Sequence, residues 1–178
     1  MKTDPHFVRD DIDVGTAYLS LGSNLDAQAN IASAIRALHA RFGEVRVSPV
    51  YRTAAVGFDG VDFLNAAAVI DSDLDPLALE AWLHVLEDVH GRDRSGPRFG
   101  DRTLDIDLVL YDDRILDGPG SLRLPREELR HAFVLRPLAE IAPEAVEPRS
   151  GLTLAELWAR SSERDVAMQL VADFDPGL

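Results

Sequence analysis

The stretch TLDIDLVLY, residues 103–111, leaves the chain little choice of local structure. Leu104, Ile106, Leu108 and Leu110 recur at every second position, so an extended backbone aims them all one way. Asp105, Asp107, Val109 and Tyr111 aim the other way. A helix would scatter both sets around its circumference. The segment therefore predicts a β-strand with one face in a core and a pair of carboxylates on the other. Two residues of strand rise set the two aspartate Cα atoms roughly 6.6 Å apart. Carboxylates at that spacing repel each other unless something positive lies between them.

The preceding loop bears on what that cation serves. GRDRSGPRFGDR places Arg92, Arg94, Arg98 and Arg102 within eleven residues, among glycines and a proline that deny it a regular period. Guanidinium forks match phosphate oxygens and stay charged at any working pH. A solvated loop with internal Arg–Asp pairs to Asp93 and Asp101 would also carry such residues, as a solvated strand would carry two acids. Together, an arginine loop and a carboxylate pair suit a polyphosphate with Mg²⁺, which takes one or two carboxylates and completes its shell with water and phosphate oxygens. Such a loop, closing, would exclude water during phosphoryl transfer.

Composition narrows the classes. The net charge of −13 argues against a general nucleic-acid binder. Lys2 is the sole lysine, so a P-loop lysine and Schiff-base chemistry are unsupported. There is no cysteine, hence no disulfide framework and no thiolate metal site. His39, His84 and His90 have no histidine partner one helical turn away. No apolar run spans a bilayer and no secretory leader is visible, so a cytoplasmic protein without a membrane partner is expected, with a monomer favoured.

At 178 residues the chain suits one domain, residues 16–178, behind a flexible tail of residues 1–15. Alternation predicts strands over TAYLSLGSNL, VRVSPVYRT (with Pro49 at an edge or bulge) and FLNAAAVIDS, with DVAMQLVAD as a final strand. A helix should run to about Phe42, with Asp26 a candidate N-cap and Ile31, Ile35, Leu38 and Phe42 on one face. A second helix should start at Asp75-Pro76, bury Leu79, Trp82, Leu83, Leu86 and Val89, and stop at Gly91. Antiparallel strands mixed with two long helices make an α+β sandwich.

YLSLGSNL, YRT followed by FLNAA, LEDVHGRDR, RFGDRTLDIDLVLY and FVLRPLAEIAPE occur in that order. In this the chain, from about Ala17 to Pro148, resembles the 6-hydroxymethyl-7,8-dihydropterin pyrophosphokinase family of folate biosynthesis. The resemblance implies a ferredoxin-like antiparallel sheet with helices on its faces. It implies transfer of diphosphate from ATP to the pterin hydroxymethyl oxygen with release of AMP, and two Mg²⁺ ions held by Asp105 and Asp107. Arg98 and Arg102 fall on the catalytic-loop arginines. Glu87, Arg92, Arg94, Leu108, Arg126 and His131 fall on ATP positions, with Arg130 in place of His131 if a one-residue gap lies elsewhere. Thr53, Val56, Phe63, Asn65 and Phe133 fall on pterin positions. A flat, polar-edged bicycle wants aromatic faces and amide partners, and Phe63 and Asn65 share a strand face. The chain also departs from the family: Arg126 stands where a His follows the proline, TAAVG replaces Thr-Pro-Pro, and Phe99 stands where Trp is common. A divergent paralogue acting on another hydroxymethylpterin, or a non-catalytic Mg-nucleotide or pterin sensor, are the alternatives.

Overall fold

The computed structural model describes residues 13–91, 103–118 and 120–178. The four loop arginines, Phe99 and most of the expected N-terminal tail lie outside the described residues.

Alternating apolar residues form strand β1 (Gly15–Ser23), which leads into helix α1 (Ala27–Phe42). The predicted strand over residues 45–53 is split at Ser48-Pro49 into β2 (Val45–Val47) and β3 (Tyr51–Thr53), because proline has no N–H for the ladder. Then follow β4 (Phe63–Ser72), α2 (Pro76–Val89) and β5 (Asp105–Tyr111). Beyond lie the small hairpin β6 (Leu116–Asp117) and β7 (Arg123–Leu124), a 3₁₀ turn Glu127–Arg130, and α3 (Ala132–Ile141). A second small hairpin, β8 (Val146–Glu147) and β9 (Leu152–Thr153), precedes α4 (Leu154–Ala159) and β10 (Gln169–Leu170).

The main sheet runs β10-β3-β4-β1-β5, with β2 also on β4, and every pair is antiparallel. This is the ferredoxin-like βαββαβ arrangement. On one face Leu19 and Leu21 of β1, Ala66 and Ile70 of β4, and Ile106 and Leu108 of β5 meet Ile35 and Leu38 of α1 and Leu79 and Leu83 of α2. On the other, Ala67, Val69, Val109 and Leu110 meet Leu129 and the α3 residues Val134, Leu135 and Leu138. Among the described residues no helix is long and apolar enough to cross a membrane.

Three local expectations change. Ala17 pairs with Tyr111 and Tyr18 with Leu110, but Leu19 pairs with Leu108, so Val109 is an extra residue and β5 carries a bulge there. The bulge reverses the parity of the strand: Leu110 turns to the α3 face and Tyr111 to the α1–α2 face, against simple alternation. Tyr111 is held there by its hydroxyl, which donates to the Leu74 carbonyl at 2.7 Å. Its ring fills the space beside Gly15, where a Cβ would lie 2.2 Å from Cε1. Asp26 does precede α1, but at φ 46° with no side-chain cap. In α2 Asp75 caps as expected, accepting from the Ala78 amide at 2.8 Å, while Val89 is exposed and Glu87 is buried.

Candidate functional site

The face of the sheet opposite α1 and α2 carries the site. Register aligns Tyr51, Asn65, Gly22 and Asp105 in one row across four strands, and Ala67, Ser20 and Asp107 in the next. With strands about 4.8 Å apart, the Asn65 and Asp105 backbones lie roughly 10 Å from each other. Gly22 occupies the strand between them. A Cβ at Gly22 would come within 3.3 Å of Asn65 Oδ1, so the missing side chain keeps the floor clear. This role of Gly22 depends on β1 lying between β4 and β5.

On one side of this floor Asn65 and Thr53 are both buried, and Asn65 Nδ2 donates to Thr53 Oγ1 at 2.6 Å. Phe63, two residues before Asn65 on the same face, is half-buried and meets the Phe58 ring edge-on at 6.3 Å. Asn24 Nδ2 donates to the Val61 carbonyl at 3.1 Å, tying the loop before β4 to the end of β1. Val56 sits on that loop with its side chain exposed. Phe133, near the start of α3, is half-buried against the α3 cluster and stacks on His131 at 5.3 Å. The structure thus brings Thr53, Phe63 and Asn65 together, while Val56 and Phe133 lie on the loop and the helix that border this face.

On the other side stand Asp105 and Asp107, both half-buried and facing the same way. Burial first, and then the charge of Asp105, push the Asp107 carboxyl up to about 8, although Arg126 pulls the other way. Arg126 Nη2 lies 3.1 Å from Asp107 Oδ1, its Nε lies 3.5 Å from Glu128 Oε2, and its Nη1 lies 4.0 Å from Glu80 Oε1. Glu80 and Glu128 were not singled out in the sequence; the only signal was that Glu80 and Glu87 share a stripe of α2, seven residues apart. Glu87 is buried, and its Oε1 accepts from the Ile106 amide at 3.0 Å. The Arg126 amide donates to the Val109 carbonyl at 3.0 Å. Side chain and backbone thereby cover the outer edge of β5, which pairs with no further strand among the described residues.

Two other expected ATP positions sit differently. Leu108 is buried in the core on the face away from Asp107, so only its backbone is available to a ligand there. His131 Nδ1 pairs with Glu163 Oε1 at 3.1 Å, and Glu163 Oε2 accepts the Ala132 amide at 2.7 Å. Burial alone would raise the Glu163 pKa, but these hydrogen bonds outweigh it and hold the carboxyl below its usual range. Arg92, Arg94, Arg98 and Arg102 lie outside the described residues, though Gly91 and Thr103, which bracket them, place the loop's two ends at α2 and β5. The Ser23 hydroxyl donates to the Thr103 carbonyl, fixing the second of those ends to the tip of β1.

The acid pair fits a hard divalent cation. The two carboxylates share one face, and burial disfavours ionisation of Asp107 without a counter-charge. Among the described residues no group of three or more His, Cys, Asp or Glu side chains converges as a closed cage. A two-carboxylate site is what Mg²⁺ uses when phosphate oxygens and water supply its other ligands.

Comparison with known proteins identifies the family. Residues 18–143 match the family model described as 7,8-dihydro-6-hydroxymethylpterin-pyrophosphokinase (HPPK). The chain is 43% identical over 150 residues to the 2-amino-4-hydroxy-6-hydroxymethyldihydropteridine pyrophosphokinase of Methylorubrum extorquens, covering 81% of this chain and 92% of that protein. It is 40% identical over 148 residues to the like-named protein of Pseudomonas aeruginosa, covering 80% and 89%. A crystal structure of wild-type Plasmodium falciparum HPPK-DHPS matches 87% of this chain with a TM-score of 0.65 at 13% identity, which speaks to the fold. This chain spans 47% of that longer one. Fold, motif order and these relatives together place the chain in the 7,8-dihydro-6-hydroxymethylpterin-pyrophosphokinase family.

Proposed function

We propose that this chain transfers diphosphate from ATP to the hydroxymethyl oxygen of 6-hydroxymethyl-7,8-dihydropterin, yielding the pterin diphosphate and AMP for folate biosynthesis. The observation that carries the reading is the shared row of Asn65, Gly22 and Asp105, which sets a polar, aromatic-edged patch beside an acid pair on one face of the sheet. Asn65, held at one amide N–H by Thr53, would hydrogen-bond the rim of the pterin, and Phe63 would pack on its face. Asp105 and Asp107 would hold two Mg²⁺ ions. Bound there, the metal would offset the charge of the phosphates and of the departing AMP.

The pterin oxygen attacks the β-phosphorus as the bond from that phosphorus to the α–β bridging oxygen breaks. AMP leaves with the bridging oxygen, and the hydroxyl proton passes to solvent. Among the described residues Arg126 is the cation nearest the acid pair, and it is poised to trade part of its contact with Asp107 for a phosphate oxygen. Arg92, Arg94, Arg98 and Arg102, on the loop between α2 and β5, would grip the remaining phosphates. Arg98 and Arg102 would act during transfer, where positioning and neutralisation do most of the work. Glu87 would act from beneath, keeping the strand that bears both acids in register. Neither the paralogue nor the sensor reading draws support from the relatives.

Incubation with ATP, Mg²⁺ and the dihydropterin tests the proposal: AMP and the pterin diphosphate should accumulate in equal amounts. ADP in place of AMP, or AMP only with a different pterin, would overturn it.

A further inference from the structure

A cavity of about 680 Å³ opens between the β6–β7 hairpin, the 3₁₀ turn, the β8–β9 hairpin and the end of α4. It contains none of Thr53, Phe63, Asn65, Asp105 or Asp107, and it shares only Arg126 with the acid pair. Much of its wall, from Glu147 to Ser162, lies beyond the segment matched by the family model.

Its wall carries Arg123, Arg126, Arg130, Arg149 and Arg160, in a chain whose net charge is −13. The facing acids are Asp117, Glu127 and Glu147. Two of them are already engaged: Asp117 Oδ1 holds Arg149 Nη2 at 2.7 Å, and Glu147 accepts the Arg149 and Ser150 amides at 2.7 and 2.9 Å. Arg123 Nη1 reaches only backbone carbonyls. Among the described residues Arg130 and Arg160 make no ion pair and no side-chain hydrogen bond, and both are exposed. The cavity floor is apolar, formed by the buried Leu129 and Leu135 and the half-buried Leu152 and Leu157.

Uncommitted guanidinium groups above a leucine floor are complementary to a small anion with an apolar body. The guanidinium forks suit phosphate or carboxylate oxygens, and the leucines suit a ring or short hydrocarbon that gains by leaving water. We infer that this cavity is a second ligand site, separate from the acid pair, for a small organic anion whose head group sits on Arg130 and Arg160 and whose apolar part rests on Leu152 and Leu157. Arg160, Leu152 and Leu157 play no part in the diphosphate-transfer reading, whereas Arg130 is a candidate nucleotide contact in it, so the competition with an ATP analogue separates the two.

Calorimetric titration of the full chain with phenyl phosphate, benzoate and inorganic phosphate tests it. One of the two aromatic anions should bind at least tenfold more tightly than inorganic phosphate, and which one does so identifies the head group. The double variant Arg130→Ala/Arg160→Ala should lose that binding tenfold or more while melting at the wild-type temperature. Arg160→Ala alone should leave the affinity for a non-hydrolysable Mg–ATP analogue within twofold. Aromatic-anion binding unchanged in the double variant would overturn the site. So would equal affinity for inorganic and phenyl phosphate, or full displacement of phenyl phosphate by the ATP analogue.

Discussion

The two halves of the site floor solve opposite problems. On the β3–β4 side the polar groups are neutral, buried and already paired, with Asn65 bonded to Thr53. On the β5 side carboxylates crowd together: Asp107, Glu80 and Glu128 surround Arg126, Asp105 and Glu87 add their charge beside Asp107, and Asp107 is pushed up to about 8 by burial and by Asp105. The first half is complete without ligand. The second is assembled against its own repulsion, which Arg126 offsets in part at Asp107 and a bound divalent cation would relieve further. On the proposed reading, the pterin side would be shaped in advance, whereas the phosphate side would need a cation.

The sharpest way to break this contrast is Asp107→Ala. It should lower turnover by roughly 10³-fold or more, the scale expected when a metal loses a ligand at the reacting phosphates, while thermal melting shows the fold intact. Steady-state rates near wild type would remove the acid pair from the chemistry. Next, Asn65→Ala should weaken pterin binding by about 10- to 100-fold, the cost of losing a buried hydrogen-bonding side chain, and leave Mg–nucleotide affinity nearly unchanged. Equal losses in both titrations would mean that the halves are not separate.

A third test is pH. The free Asp107 carboxyl retains its proton up to about 8, well above the ordinary 3.8, so the folded protein binds that proton more tightly than the unfolded chain. The sign follows: the unfolded chain gives up this proton from about pH 4 while the folded protein keeps it, so stability falls as pH rises from about 4 toward 8 and levels off above, and Mg²⁺ must displace the proton. Mg²⁺ affinity measured by calorimetry should therefore fall by up to about tenfold per pH unit below 8 and level off above it. A flat profile from pH 6 to 9 would contradict the burial argument. Smallest in effect, Arg126→Ala removes a competing cation 3.1 Å from Asp107 and should tighten Mg²⁺ binding to the nucleotide-free protein a few-fold, about 1 kcal/mol or less. Weaker Mg²⁺ binding in that variant would show that Arg126 organises the acids more than it competes with the metal.

The strand pattern made much of this legible. Alternation in β5 foretold that Asp105 and Asp107 share a face, and β4 foretold the same of Phe63 and Asn65. The bulge at Val109 was invisible, because Val109 and Leu110 are both apolar and either parity buries one of them. The burial of Glu87 was partly written in the helix: it lies four residues after Leu83, on the buried stripe, where its polarity favoured Val89 as the buried choice. Its partner, the Ile106 amide, is nineteen residues away and follows only from how α2 lies along β5. Gly22 needed the strand order, and the pairing of His131 with Glu163 needed the chain after α4 to return.

The extra residue in β5 has a consequence for how the protein tolerates change. Because the strand turns over at Val109, the half bearing Asp105 and Asp107 and the half anchored by Tyr111 are set by separate contacts, one at Glu87 and one at Leu74. Sequence drift around the Tyr111 anchor can then be absorbed at the kink, leaving the orientation of the two acids untouched.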